Sequence, residues 1–581
     1  MRNKILYVLA AALLAAAPPL FGAAEGEATA TDTMGTSEPQ YGGTITVLNF
    51  LTDALGVPDP AYGSGSTTTK NMVGERIQVG DVHQHGIRGS GAFAFTDDAG
   101  LPLPYKTGGV AESWEVTADR VILHVRDGIM WSGESINDVM EARPVTAEDI
   151  VFHYRRVFDE ASGAGGYIRG IDWIKKPEVE SVYAMDEDTV VFETNYFFGN
   201  WDGTLQGGGG QLFAPESYAA SEPDKLTWEN MVGTGPFWVK EYVPGSHLTL
   251  GANELYWQKA IIDGKEYRTP FVDEYVMPMI KDETTAVAAL QTATADAYLR
   301  VTPPHVPALE RAFPDLQSRK SGAGLANVIA FDTTKSPFDN RDVRRALMVG
   351  TDRSAVNGML MEPDLEYNMH PFAAGWEGWV PVDEMPESTR MLFDYDPELA
   401  KQMLADAGYP NGFEVDVLAM NVYQNDDIAE IVADQWKDLG VTVNITVKDG
   451  SAVNKEVRPP AHMEYDAVAW VMVTHTPILF AHTYYGSAGP RNAGYYRSEY
   501  FDERMLGAMR EEDGAKRVQM LTEANLRQQD DVAAIPFAFP SWRTFWWPWV
   551  KNIHGEVWYH IHTPDAHNWW LDLELKEEMG H

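Results

Sequence analysis

The stretch Gly233–Trp257, GTGPFWVKEYVPGSHLTLGANELYW, fixes more local structure than any other part of the chain. Phe237, Trp238 and Val239 begin a rough alternation of apolar and polar residues, and Leu248 and Leu250 carry a second one. Between them Pro244-Gly245 suits a tight reversal, because proline presets its own φ and glycine accepts the positive φ that other residues resist. The pattern predicts a β-hairpin, so the chain must supply a sheet for it to join.

A chain of 581 residues with 44% hydrophobic content can bury several cores, and two or three domains are expected. The cysteine count of 0 removes disulfides, thiolate metal sites and cysteine nucleophiles together. A net charge of -40 argues against nucleic acid or an anionic membrane as partner, since the surface as a whole repels phosphate. At the N-terminus, Arg2 and Lys4 precede an apolar run, Ile5 to Ala17, and the small residues Gly22-Ala23-Ala24 follow. This reads as a signal peptide over 1–24, cleaved near Ala24. Residues 25–40, rich in Ala, Thr, Gly and Glu, read as a disordered linker. No later segment reaches roughly 18 uninterrupted apolar residues, so the mature protein is expected not to be membrane-inserted.

Further motifs fall in order along the chain. Thr44 to Leu48 alternates as a strand, and Pro144 to Ile150 (PVTAEDI) opens a helix with Thr146 as cap and Glu148 and Asp149 in its first turn. The segment from Trp131 to Pro144 reads as a surface insertion. Asn340 caps a helix bearing Val343-Arg344-Arg345-Ala346-Leu347, whose arginines are expected to be solvated or structurally paired. Asp396-Pro397-Glu398 starts another helix, which Gly408 ends, and Tyr409-Pro410-Asn411-Gly412-Phe413 follows. The four glycines 207–210 lack the Lys and Ser/Thr of a phosphate loop and read as a turn. His83 with His85, and His560, His562 and His567, could chelate a metal if on strands, but a surface or packed strand is the expected setting, and no metal site is assigned.

Together these words resemble the family 5 solute-binding proteins, the extracytoplasmic receptors of peptide, nickel and oligosaccharide ABC importers. The resemblance rests on GTGPFW…PG…NELYW, on AESWE with PVTAEDI, on SPFDNRDVRRAL…DR, and on YDPELAKQMLADAGYPNGF, and it spans about Tyr41 to Pro540. It implies an α/β, two-lobed periplasmic-binding-protein-like fold with mixed sheets, a hinge between lobes and an extra subdomain in the first lobe. The expected divisions are lobe I over 41–290 with a subdomain at about 75–185, lobe II over 291–533, and a return to lobe I over 534–581. The partners it implies are a small solute, an oligosaccharide or a peptide, and an inner-membrane ABC permease, for a periplasmic receptor that is expected to act as a monomer without a cofactor.

The ligand residues also follow from the resemblance. The loop after the first strand, with Asp53, Asp59 and Tyr62, is expected to line the cleft, as is the segment from Tyr465 to Tyr485 with Trp470, Thr476, Tyr484 and Tyr485. The family positions that hold a peptide's tryptophan and aspartate contacts are occupied here by Met472 and His475. A neutral histidine cannot serve as counter-ion to an α-ammonium. The expectation therefore leans slightly to an oligosaccharide, with Trp376 and Trp379 as stacking platforms, and keeps a di- or oligopeptide as the alternative. No G-x-S-x-G, H-E-x-x-H or P-loop pattern occurs, so no catalytic residue is assigned and an enzyme is not expected; a hydrolase or a metal receptor is the remote alternative.

Overall fold

The computed structural model describes residues 38–581 apart from 50–57, 61–66, 86–100, 102, 160–171, 207–208, 222–224, 322–324, 361–371, 373–375, 474–476, 540–541, 555–556, 559–560 and 563. The expected signal peptide, and the linker up to residue 37, lie outside the described residues.

The hairpin forms as its residues dictate. Phe237–Val243 pairs antiparallel with His247–Ala252 around Gly245, whose φ is 75°. It is the edge of a seven-stranded mixed sheet that continues through Glu274–Pro278, Thr44–Leu48, Ala297–Val301, Trp542–Trp546 and Gln317–Ser321. The glycines of GTGP are there for backbone approach. A Cβ on Gly233 would collide with the carbonyl oxygen of Val73, and one on Gly235 would lie 2.7 Å from that of Met72.

A second, five-stranded sheet has the order Thr442–Lys448, Glu414–Met420, Ala467–Val473, Leu325–Phe331 and Ala534–Phe537. Its helices start where expected: Arg341–Val349 is capped by Asn340, and Pro397–Asp406 by Asp396, whose side chain accepts from Leu399 N. Arg344 donates to the carbonyls of Phe338, Asp531 and Val532, and Arg345 pairs with Asp530, so both arginines are structural. Gly412, at φ 72°, backs onto the Gly440 carbonyl, where a Cβ would not fit.

The four-stranded antiparallel sheet Ala111–Val116, Arg120–Val125, Thr189–Glu193 and Val182–Ala184 packs with the helix Ala147–Phe158 as a further unit beside the first sheet. Thr146 N donates to Asp149 at 2.9 Å, and Arg143 bridges Asp149 and Glu216. The 131–144 segment folds back on itself, with Met130–Trp131 pairing with Arg143–Pro144.

The chain crosses between the two large sheets twice, between Ser321 and Leu325 and between Phe537 and Trp542. The first crossing lies beyond the position near 291 that sequence suggested. Ala297–Val301 and Gln317–Ser321 remain in the first sheet, paired with the returning strand Trp542–Trp546. Asp296 anchors this return. Its carboxylate accepts from Thr46 N at 2.8 Å, Trp549 Nε1 at 2.8 Å and Lys576 Nζ at 2.7 Å. Trp547 and Trp549 stack with ring centroids 4.9 Å apart, closing the last residues onto lobe I.

Candidate functional site

The register places corresponding edges of both sheets at the crossings. In the first sheet, Thr44–Leu48 runs parallel to Ala297–Val301, and Val301 pairs with Arg543 beside the crossing. In the second, Glu414–Met420 runs parallel to Ala467–Val473, and Val473 pairs with Leu325. The carboxyl ends of parallel strands from both lobes thus meet where the chain changes sheet, the place at which open α/β sheets bind ligands.

The side chains at this edge are polar, buried apart from the half-buried Gln424, and incompletely bonded. Asn49, at the end of the first strand, has neither its amide oxygen nor its nitrogen paired among the described residues. From lobe II, Asn327 donates to the carbonyl of Tyr423 at 3.1 Å, and Gln424 donates to that of Leu360 at 2.7 Å. The amide oxygens of Asn327, Gln424 and Asn425 find no donor among the described residues. Buried amides are normally bonded, so a cluster of such atoms marks a place built to pair with something else.

Backbone strain gathers at the same edge. Arg300, Tyr423 and Gln424 have φ of 68°, 58° and 62°, the left-handed region that costs non-glycine residues about 1–3 kcal/mol each. The Arg300 guanidinium lies 4.4 Å from the centroid of Trp542, and the Tyr423 ring packs at 5.3 Å on Phe539. Phe539 meets Trp542 edge-on at 5.6 Å, so rings from both lobes flank the second crossing. None of these residues carries a sequence motif. Only their positions at strand ends could have pointed to them.

The residues expected from sequence fare differently. Asp53, Tyr62, His475 and Thr476 lie outside the described residues. Asp59 is fully buried and accepts from Arg156 at 2.8 Å and from Leu226 N at 3.2 Å, a structural ion pair inside lobe I. Trp470 is buried, donating to Asn454 at 3.2 Å and meeting Tyr484 edge-on. Met472 and Tyr485 are buried together, the hydroxyl 3.7 Å from the sulfur. These four side chains, Trp470, Met472, Tyr484 and Tyr485, belong to packed interior rather than to an open wall. Burial pushes the Tyr485 hydroxyl well above its ordinary range, as expected of a core phenol.

Trp376 and Trp379 sit on a loop held against the helix Gly514–Asp531. Arg517 pairs with Glu377, Asn525 donates to the Gly378 carbonyl at 3.0 Å, and Trp379 packs on the core. His83 and His85 fall in the helical turn Val82–His85, not on a strand, so their side chains diverge by the helical step. Among the described residues no cluster of three His, Cys, Asp or Glu side chains could hold a metal ion. No helix among them is long and apolar enough to cross a membrane.

Lobe I holds further perturbed groups. Burial pushes the Glu75 carboxyl up to about 7, against the lowering effect of its donors Trp257 and Gln258. The Trp257 indole donates to both Glu75 oxygens at 3.1 and 3.0 Å, tying the end of the hairpin stretch to the segment after the helix Thr67–Val73. Burial lowers His153 to about 4, so the ring is neutral and its Nε2–H donates to Gly209 O at 2.7 Å. The glycine run is therefore a packing element where it is described.

Comparison with known proteins agrees with this architecture. The family "Bacterial extracellular solute-binding proteins, family 5 Middle" matches residues 107–492. The chain is 27% identical to heme-binding protein A of Haemophilus influenzae over 457 residues, covering 74% of this chain and 78% of that one. It is 23% identical to the dipeptide-binding protein of Escherichia coli, covering 77% and 83%. Among solved structures, an ABC transporter-associated periplasmic binding protein from Helicobacter pylori in complex with the peptide STSA superposes with a TM-score of 0.73 at 19% identity, over 92% of this chain and 99% of that one. The two-lobed fold, the sheet edges meeting at its crossings and the match over more than half of the sequence agree: the chain belongs to family 5 of the bacterial extracellular solute-binding proteins.

Proposed function

We propose that the protein is an extracytoplasmic receptor that captures a short peptide between its lobes and delivers it to an inner-membrane ABC permease. The observation that carries this reading is the row of amides with buried, unpaired oxygens at the crossing edge. Asn49, Asn327, Gln424 and Asn425 offer amide oxygens to N–H groups, and Asn49 also offers a donor, which suits an extended peptide backbone of alternating N–H and C=O. Several relatives are named for dipeptides or oligopeptides, which supports the same ligand class. An oligosaccharide, the sequence expectation, fits less well: the loop bearing Trp376 and Trp379 is tied to the helix Gly514–Asp531 through Glu377 and Gly378, Trp379 packs on the core, and the relatives favour the peptide alternative.

Ligand contacts with both lobes stabilise the closed form, so capture and presentation to the permease are one event. In this reading the receptor is a monomer, works in the periplasm after removal of residues 1–24, and turns nothing over. A thermal-shift screen against di- to pentapeptides, oligosaccharides and heme tests it. A ligand at 100 times its Kd should add about 2.7 kcal/mol to stability. A rise with peptides is the expected result. A rise with saccharides or heme alone would sink the peptide reading.

A further inference from the structure

The lobes also touch away from the crossings. Gly199 N, in the segment that follows the strand Thr189–Glu193 of the four-stranded sheet, donates to the Met509 carbonyl at 2.8 Å. Beside that bond, the Arg510 guanidinium lies 4.3 Å from the centroid of the Tyr196 ring. Tyr196 and Gly199 belong to lobe I. Met509 and Arg510 end the helix Glu499–Arg510, inside the span 325–537 that builds the second sheet with its helices. The next helix, Gly514–Asp531, has 18 residues, about 27 Å, and separates this contact from the strand Ala534–Phe537 that leads into the second crossing.

Two bodies joined by chain at the crossings keep such a contact in one relative orientation and part it when they rotate. Phe198 and Met509 are 2% and 1% exposed here, so parting would uncover apolar surface as well as break the hydrogen bond. Arg510 is exposed and Tyr196 half-buried, a setting in which a cation–π pair shifts an equilibrium by about two- to fivefold. The contact is thus strong enough to bias closure and weak enough to release. We propose that Tyr196, Gly199, Met509 and Arg510 form a latch between the lobes, made as they close and broken as they open. None of the four lies among the crossing-edge residues. The latch therefore sets the closed fraction without contacting the ligand, and it scales the affinity for every ligand by one common factor. Its effect on affinity rests on the receptor reading above.

The absence of cysteine allows a direct test. A Cβ on Gly199 would lie 3.8 Å from Arg517 Cδ, an ordinary contact distance, so Gly199→Cys with Arg517→Cys sets the chain's two thiols across the lobes and leaves Tyr196 and Arg510 in place. Dibromobimane, which becomes fluorescent on joining two nearby thiols, should bridge them, faster with saturating Ala-Ala-Ala than without. Adding Arg510→Ala should slow bridging by about two- to fivefold, and Arg510→Lys, which keeps a cation for the ring, by less. Solution scattering should find the bridged protein more compact than the unbridged, ligand-free one. In the chain without cysteines, Arg510→Ala alters an exposed side chain and should weaken Ala-Ala-Ala and a chemically unrelated tripeptide by the same factor.

No bridging, or equal radii of gyration before and after it, would overturn the latch whether or not a peptide binds. So would bridging indifferent to Arg510 or to a bound peptide, or a loss of affinity confined to one tripeptide. Contraction on bridging in a protein that binds no peptide would instead leave the latch standing and remove the peptide reading.

Discussion

Two regions of the molecule bury polar side chains, and they differ in whether the bonding is complete. Around Asp296 every oxygen has its donor: a backbone amide, an indole and an ammonium converge on one carboxylate 3% exposed. At the crossing edge, Asn49, Asn327 and Asn425 are equally withdrawn and Gln424 is half-buried, yet each leaves a buried amide oxygen unpaired among the described residues. The first arrangement holds a lobe together. The second spends conformational strain at Arg300, Tyr423 and Gln424 to keep polar atoms ready, and readiness is what a binding site needs.

Substitutions should separate the two regions by what they damage. Asp296→Ala should cost about 3–5 kcal/mol in chemical denaturation, because Lys576 and two other donors lose a buried acceptor at once. A loss under 1 kcal/mol would mean that the closed network is not holding the return of the chain. At the crossing edge, Gln424→Gly relieves a left-handed backbone while removing an unpaired oxygen. Stability should be unchanged or slightly raised, whereas peptide affinity should fall by about tenfold, read by titration calorimetry. Equal loss in both measurements would make Gln424 an ordinary structural residue.

A pH series sharpens the contrast within lobe I. Glu75 keeps its proton in the fold to about 7 from an ordinary 4.5, so its contribution is full below the unfolded value and is lost as pH rises through 7. His153 is neutral in the fold down to about 4 from an ordinary 6.5, so its contribution is full above 6.5 and is lost as pH falls through 4. Denaturation midpoints should therefore lose their alkaline-side slope in Glu75→Gln and their acid-side slope in His153→Gln. The smallest effect is expected at Trp376→Ala, where peptide affinity should stay within about twofold. A larger loss would return that loop to the ligand.

Much of the fold was legible in the sequence because its cues are local. The hairpin turn at Gly245, the Asn340 and Asp396 caps and the close approach at Gly412 each follow from one or two residues whose backbone preferences leave few options. The crossing from lobe I was not legible near 291, since Ala297–Val301 and Gln317–Ser321 are strands in either lobe. Only pairing with Trp542–Trp546, more than 200 residues later, assigns them. The site was less legible still. Trp470 and Tyr484, which the family resemblance of their segment places at the cleft, are core, while Asn327 and Gln424 look like nothing until strand ends from two sheets are set side by side.

Lobe I is assembled from both ends of the chain, whereas the second sheet is drawn from one continuous span, 325–537. Ribosomal synthesis therefore completes the later lobe first. Until Trp542–Trp546 and Lys576 emerge, the earlier lobe lacks an interior strand of its sheet and the cation facing Asp296. The last forty or so residues act as a latch on order of assembly, and a nascent chain paused before them carries one finished half beside one that waits.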